Sequence, residues 1–263
     1  MPGDIRIDYP RPGIGRITFA RGDNGNASTP AMLGEVRDAV QMLDRDAAVR
    51  AVLIAAEGKH FSVGADFAFL ADIGGMSANE IRTAVYDNFQ GAVKAVYRCA
   101  KPTIALVQGA AVTVGCELAL ACDFRVATPR TRFQESWIKL GIMPPLGGTF
   151  LLPRIVGLGR AMDMCLRGTP VTGEEALQCG LVHELAEPDV LEARGLELAR
   201  ELAAAAPLAY ATVKQSIQRA LESSMDAEWA ANLSNQALLL KSEDFSEGLE
   251  AVKARRAPEF KGA

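Results

Sequence analysis

The chain has 263 residues, 49% of them hydrophobic and 23% charged, with a formal net charge of −4, so it can bury a large core within one main domain. Its densest basic cluster, Lys253, Arg255 and Arg256, is too small for binding along a nucleic-acid duplex. Five cysteines, an odd number without a C-x-x-C spacing, imply neither a disulfide framework nor a zinc site and read as reduced core thiols.

The opening stretch, MPGDIRIDYP, lacks the basic and apolar regions of a secretory signal. Residues 5–10 and 14–20 alternate apolar and polar side chains around Pro12 and Gly13, which predicts a hairpin. A turn-rich loop over 23–30 leads to Thr29, a helix cap with Pro30 at the first helical position and Met32, Val36, Val40 and Leu43 at helical spacing. AVLIAA at 51–56 has the uniform apolarity of a parallel strand buried on both faces. After the loop GKHFSVGAD and a polar segment around GGMSANE, a helix is expected from about Asn79 to Cys99. Lys101-Pro102 ends it, because the proline ring disfavours helical geometry in the residue before it.

TIALVQG reads as the next buried strand, GCELALACD as a buried helix and FRVAT as the strand after it. The apolar run from Thr103 to Cys122 is interrupted by Gln108, Gly109, Thr113, Gly115 and Glu117, so it does not span a membrane. A cytoplasmic protein with no membrane association is expected. Repetition of strand, loop, buried helix and strand predicts a layered α/β core. Thr172 and Glu175 form a capping box for a helix that closes at Gly180; GLVHELA, with His183, reads as a short strand. Residues 189–206, 208–223 and 225–256 read as helices, dividing the chain into a core over 1–200 and a helical region over 201–263.

Glu117 carries the clearest chemical signal, since nearly every neighbour in VTVGCELALAC is apolar. An unpaired carboxylate buried there is costly, so its proton affinity should rise and make it a candidate acid or base, unless backbone N–H groups or a water satisfy it as a structural residue. Gly64 and Gly115 each sit in a turn after a strand, and two such turns can aim backbone N–H groups at one point. Either glycine alone is ordinary turn chemistry. No G-x-S-x-G elbow, phosphate-binding G-x-x-x-x-G-K-[ST] loop, complete G-x-G-x-x-G or H-E-x-x-H motif is present. The two histidines, His60 and His183, stand alone, so neither a metal site nor a Ser-His triad is expected.

Four blocks in order, GKHFSVGADF at 58–67, QGAAVTVGCELALACDFRVAT at 108–128, LGIMPPLGGTFLLPRIVG at 140–157 and SEGLEAVKARRAPEFKG at 246–262, resemble the crotonase (enoyl-CoA hydratase/isomerase) superfamily. The resemblance implies an α/β spiral of repeated ββα units with C-terminal helices that pack trimers, or hexamers made of two trimers. It implies an acyl-CoA substrate whose thioester oxygen accepts two backbone N–H bonds, from Ala65 and Val114, with no permanently bound cofactor. By the same resemblance Val63, Asp66 and Phe67, with Asn26 and Ala27, border the coenzyme A, and Phe260 and Lys261 reach it, in some relatives from a neighbouring subunit. For Lys261 a frayed basic tail is the competing reading.

The family's hydratases use two glutamates. The first falls on Glu117, the second on Trp137, which cannot usefully move a proton. In the dehalogenase branch a tryptophan also stands there, but that branch's aspartate nucleophile falls on Pro145. Pro145 also lacks the N–H that in hydratases helps hold the attacking water. Glu135 is either a second acid or a solvated surface glutamate. Trp137 and Pro145 border the acyl pocket, Trp137 as a flat apolar wall suited to bulky or cyclic acyl groups. The resemblance thus implies an enzyme that stabilises a thioester enolate, with Glu117 as acid or base, for hydration, isomerisation, hydrolysis or ring cleavage; a non-catalytic acyl-CoA-binding protein is the alternative. RNA binding finds no basic stripe.

Overall fold

The computed structural model describes residues 3–263; Met1 and Pro2 of the opening stretch lie outside the described residues. The expected hairpin forms from β1 (Ile5–Arg11) and β2 (Ile14–Phe19), paired antiparallel. Helix α1 (Pro30–Arg45) begins where the sequence predicts, with the Thr29 hydroxyl accepting the Met32 N–H. It leads to β3 (Ala51–Ala56), parallel to β2.

A short helix, α2 (Phe67–Ile73), follows the 57–66 loop; α3 (Ala78–Ile81), a π-helical stretch (Arg82–Gln90) and α4 (Gly91–Arg98) then run on continuously. Next come β4 (Thr103–Val107), β5 (Ala110–Val112), α5 (Val114–Ala121), β6 (Phe124–Ala127) and β7 (Arg132–Gln134). After a 3₁₀ turn (Trp137–Leu140) the chain forms α6 (Gly148–Val156), α7 (Leu158–Arg167), β8 (Val171–Thr172), α8 (Gly173–Gln178) and β9 (Glu184–Leu185). The C-terminal helices are α9 (Leu191–Ala203), α10 (Pro207–Ala220), α11 (Met225–Leu239) and α12 (Glu243–Ala254).

Two sheets result. The larger has the order β1-β2-β3-β4-β6-β9 and is parallel from β2 onward; the smaller has the order β5-β7-β8. Each of β4 and β6 passes through a few residues into a strand of the second sheet, so β4-β5-α5 is one turn of a spiral and β6-β7 begins the next. The apolar run of β3 is explained by burial on both faces. Val52 and Ile54 meet the main core with α1, α4 and α5, whereas Ala51 and Leu53 join a second cluster closed by Leu191, Leu198 and Ala199 of α9.

Two details depart from the sequence reading. The segment expected as one helix over 225–256 is two, because Ser242 caps a new start by accepting the Phe245 N–H. His183 lies one residue before β9, its ring Nδ1 accepting the Arg125 N–H at 3.2 Å. The buried Arg125 guanidinium donates to the carbonyls of Ala119 and Cys122, satisfying the C-terminal end of α5 and fixing that helix from behind. No helix among the described residues is long and apolar enough to cross a membrane.

Candidate active site

The site begins with a junction between two turns. Ser62 forms a parallel bridge with Ala111, through Ser62 N–H to Ala110 O at 2.9 Å and Val112 N–H to Ser62 O at 3.0 Å. The two chain segments therefore run side by side, and three residues further along each come Ala65 and Val114. Gly64 has φ +106°, and a Cβ there would stand 2.2 Å from Thr113 Oγ1, so the turns touch. Thr113 itself has φ 48°, a strained value for a non-glycine residue, and is held by its N–H on Gln134 O at 2.8 Å.

Val114 is the first residue of α5, where an N–H has no partner within the helix. Among the described residues neither its N–H nor that of Ala65 makes a hydrogen bond. A cavity of about 110 Å³ opens at this junction. Val63, Ala65, Phe67 and Leu70 line one side, Val112 and Thr113 the back, and Ser136, Trp137, Lys139 and Leu140 the other side.

Glu117 sits on α5 three residues beyond Val114, hence on the same side of the helix. It is 1% exposed. Its Oε1 accepts from the N–H groups of Leu146 (2.9 Å) and Gly148 (2.7 Å), and its Oε2 from Trp137 Nε1 (3.1 Å). Gly148 opens α6, and a Cβ there would stand 3.0 Å from Glu117 Oε1, so a larger residue would press on the carboxylate. These donors favour the carboxylate, but burial outweighs them and pushes its pKa up to about 7. The carboxyl is thus satisfied by backbone amides and the Trp137 indole, as the structural reading of Glu117 expects, while burial still raises its proton affinity.

Trp137 lines the cavity as expected, but its indole N–H on Glu117 adds a role that apolarity alone did not reveal. Glu117 stands behind this ring. Pro145 lies outside the cavity wall, contrary to expectation, and its carbonyl accepts from Gln90 Nε2 at 2.7 Å.

Glu135 corrects the surface reading. It is wholly buried, neither carboxyl oxygen has a hydrogen-bond partner among the described residues, and it does not line the cavity. Burial, reinforced by the nearby Glu117 charge, raises its pKa well above the usual carboxylate value. Because the folded-state pKa is raised, the folded state holds a proton that the unfolded chain releases, and stability falls as pH rises from the unfolded value of about 4.3 toward the folded one. Glu135→Met removes the orphaned oxygens and is expected to raise stability at pH 8 by roughly 1–3 kcal/mol. Urea unfolding at pH 5 and pH 8 checks this, the gain being larger at pH 8.

Asn26 is buried and does not touch the cavity. Its side-chain amide donates to the carbonyls of Glu57 and His60 and its oxygen accepts the Arg21 N–H, tying the loop ahead of Val63. The Ala27 carbonyl accepts from Arg21 Nη1 at 3.0 Å. Asp66 caps α2 and pairs with Arg21 at 3.4 Å, while Val63 and Phe67 face outward at the cavity mouth, Phe67 being 78% exposed. Phe260 packs near Gly248 of α12, and the Lys261 N–H donates to Asp244 at 2.6 Å, so this chain does not bring that pair to its own cavity. His60 shapes the loop, its Nδ1 accepting the Ala110 N–H at 3.0 Å.

Comparison with known proteins follows this geometry. The family model described as enoyl-CoA hydratase/isomerase matches residues 11–263. A Rhodobacter capsulatus protein named "Probable enoyl-CoA hydratase" is 35% identical over 251 residues, covering 95% of either chain. The Escherichia coli 1,2-epoxyphenylacetyl-CoA isomerase is 28% identical over 256 residues, 97% of this chain and 98% of its own. The crystal structure of an enoyl-CoA hydratase from Bacillus anthracis superimposes with a TM-score of 0.92 at 30% identity, covering 99% of this chain and 100% of that one. The fold expected from the four sequence blocks is therefore present.

Proposed function

Since the chain belongs to the enoyl-CoA hydratase/isomerase family and is an acyl-CoA-processing enzyme, we propose that Ala65 N–H and Val114 N–H bind the thioester oxygen while Glu117 alone carries the proton. The observation that supports this most is the pair of unengaged amides, equidistant along the chain from one bridge, with a carboxyl group of pKa about 7 a single helical turn from one of them. Charge developing on the thioester oxygen as the α-proton leaves is stabilised by those two donors more than the neutral carbonyl is.

One carboxylate that removes a proton from one carbon and returns it to another performs double-bond isomerisation. That is the reaction this arrangement favours, because the second carboxyl nearby, Glu135, is wholly buried and does not line the cavity. Hydration is the second reading, favoured by the hydratase names among the relatives. The cavity is smaller than a CoA thioester, so the coenzyme lies across the exposed Val63 and Phe67, and acyl binding opens the Trp137 side. The deciding assay compares double-bond shift of a 3-enoyl-CoA and deuterium exchange at the acyl α-carbon with hydration of crotonyl-CoA. Binding of these thioesters without any of the three reactions would leave a carrier protein.

Val213 and Ile217 on α10, Trp229 and Leu233 on α11, and Val252 on α12 are large apolar side chains left exposed among the described residues, an area suited to burial in an assembly. A homotrimer, alone or paired into a hexamer, covers it. The expected mass by light scattering is three or six times the 28.0 kDa of the chain, and Leu233→Glu is expected to shift it to the monomer; a monomeric wild-type protein would contradict the assembly.

A further inference from the structure

Residues 82–90 are wound as a π-helix, wider than the α-helices on either side of it. Such windings turn side chains in directions an α-helix does not offer and are often found at functional sites. The last two residues of this one reach toward opposite halves of the site. Phe89 is buried and stacks on Phe69 of α2, ring centroids 5.4 Å apart and planes 18° apart; α2 starts two residues after Ala65, with Asp66 as its cap. Gln90 Nε2 donates to the carbonyl of Pro145 at 2.7 Å. A carbonyl only accepts, so the orientation of this amide is set by chemistry.

The Pro145 carbonyl and the Leu146 N–H are two ends of a single planar peptide group, and in a trans peptide they point in opposite directions. Gln90 grips one end at 2.7 Å, and the other end donates to Glu117 Oε1 at 2.9 Å. The three groups form a hydrogen-bond chain in which each bond polarises the next. Proline suits position 145 here, because the chain uses its carbonyl and its missing N–H removes nothing.

We infer that Gln90 is a positioning residue for Glu117: through the peptide group joining Pro145 to Leu146 it aims one of the backbone donors that hold the carboxylate beside the thioester. Phe89, stacked on Phe69, ties the same π-helix to the loop bearing Ala65, so one short segment sets the spacing between the first oxyanion donor and the proton carrier. The inference rests on the reading of Glu117 given above.

The test uses the full chain with Gln90→Met, of similar length but without a donor, and Gln90→Asn, which keeps the amide but is one methylene too short. The Glu117 carboxyl is titrated by carbon-13 NMR of glutamate-labelled protein, its signal assigned by its loss in Glu117→Gln, and turnover is measured against pH. Freed from its anchor, the Leu146 N–H holds the carboxylate less well. The Glu117 titration then moves up by about half to one pH unit, and kcat falls about tenfold while KM stays within about twofold. Folded Gln90→Met, or Gln90→Asn should the first not fold, with Glu117 titrating and turning over as in the wild type would overturn the inference, even if its melting temperature fell. A wild-type chain without turnover in which the Gln90 variants still move the Glu117 titration would instead refute the enzymatic reading and leave the positioning intact.

Discussion

Glu117→Gln is expected to lower turnover by about 10²–10⁴-fold and to leave acyl-CoA affinity within about threefold, because the backbone amides proposed to hold the thioester are not touched by this substitution. The amide oxygen of the replacement can still accept from Leu146 and Gly148, but its NH₂ would face the Trp137 indole N–H, donor against donor. A stability loss of about 1 kcal/mol accompanies that clash, too small to account for the lost rate. In the wild type, a base of pKa about 7 makes kcat/KM rise with pH through neutrality and level off above it. The variant should lack that rise. Retained turnover would assign the proton transfer to another group.

Gly64→Ala is expected to lower kcat by about 10²–10³-fold, the cost of one misaligned oxyanion donor. The backbone there has φ +106°, and the added methyl would meet Thr113 Oγ1 at 2.2 Å and the Val112 carbonyl at 3.2 Å. One of these contacts is backbone, so the turn has to move, and the Ala65 N–H moves with it. The perturbation is confined to the junction of the two turns. Thermal unfolding should therefore remain a single cooperative transition, with the loss of kcat exceeding any loss of binding. A variant with unchanged kcat would show that the Ala65 amide does not face the reacting oxygen.

What could be read from sequence follows the range over which each interaction acts. The cap at Thr29, the capping box at Thr172 and Glu175, and the uniformly apolar β3 depend on neighbours within a few positions, and all appear as expected. The end of α11 is equally local, but no glycine or proline marks it, and the Ser242 cap follows within three residues. For Glu135 the sequence leaves a second acid and a surface glutamate both open, and only the fold reveals that Phe133, Gln134 and Glu135 are buried. The anomaly at Glu117 is visible in the sequence because a charge among apolar residues stands out at any range. Its partners are not, since Trp137 lies 20 residues away and Leu146 lies 29. The bond from Gln90 to Pro145 spans 55 positions and leaves no pattern in the sequence.

The family resemblance supplied what periodicity could not, namely that the two glycine-bearing turns lie side by side. The bridge between Ser62 and Ala111 gives the physical reason. It sets the registers of the two segments so that the third residue beyond each partner carries an unengaged N–H, Ala65 on the cavity wall and Val114 next to Thr113 of that wall. The departure at Trp137 also becomes intelligible. The ring that replaces a second carboxylate donates to the first one, stabilising its charged form within a site whose burial pulls the other way.

The most direct measurement is a crystal structure with a non-reacting acyl-CoA thioester analogue bound. The account predicts the carbonyl oxygen at about 2.7–3.1 Å from both Ala65 N and Val114 N, with the Glu117 carboxyl against the acyl α-carbon. A carbonyl oxygen bound elsewhere, or one amide turned away from it, would contradict the account.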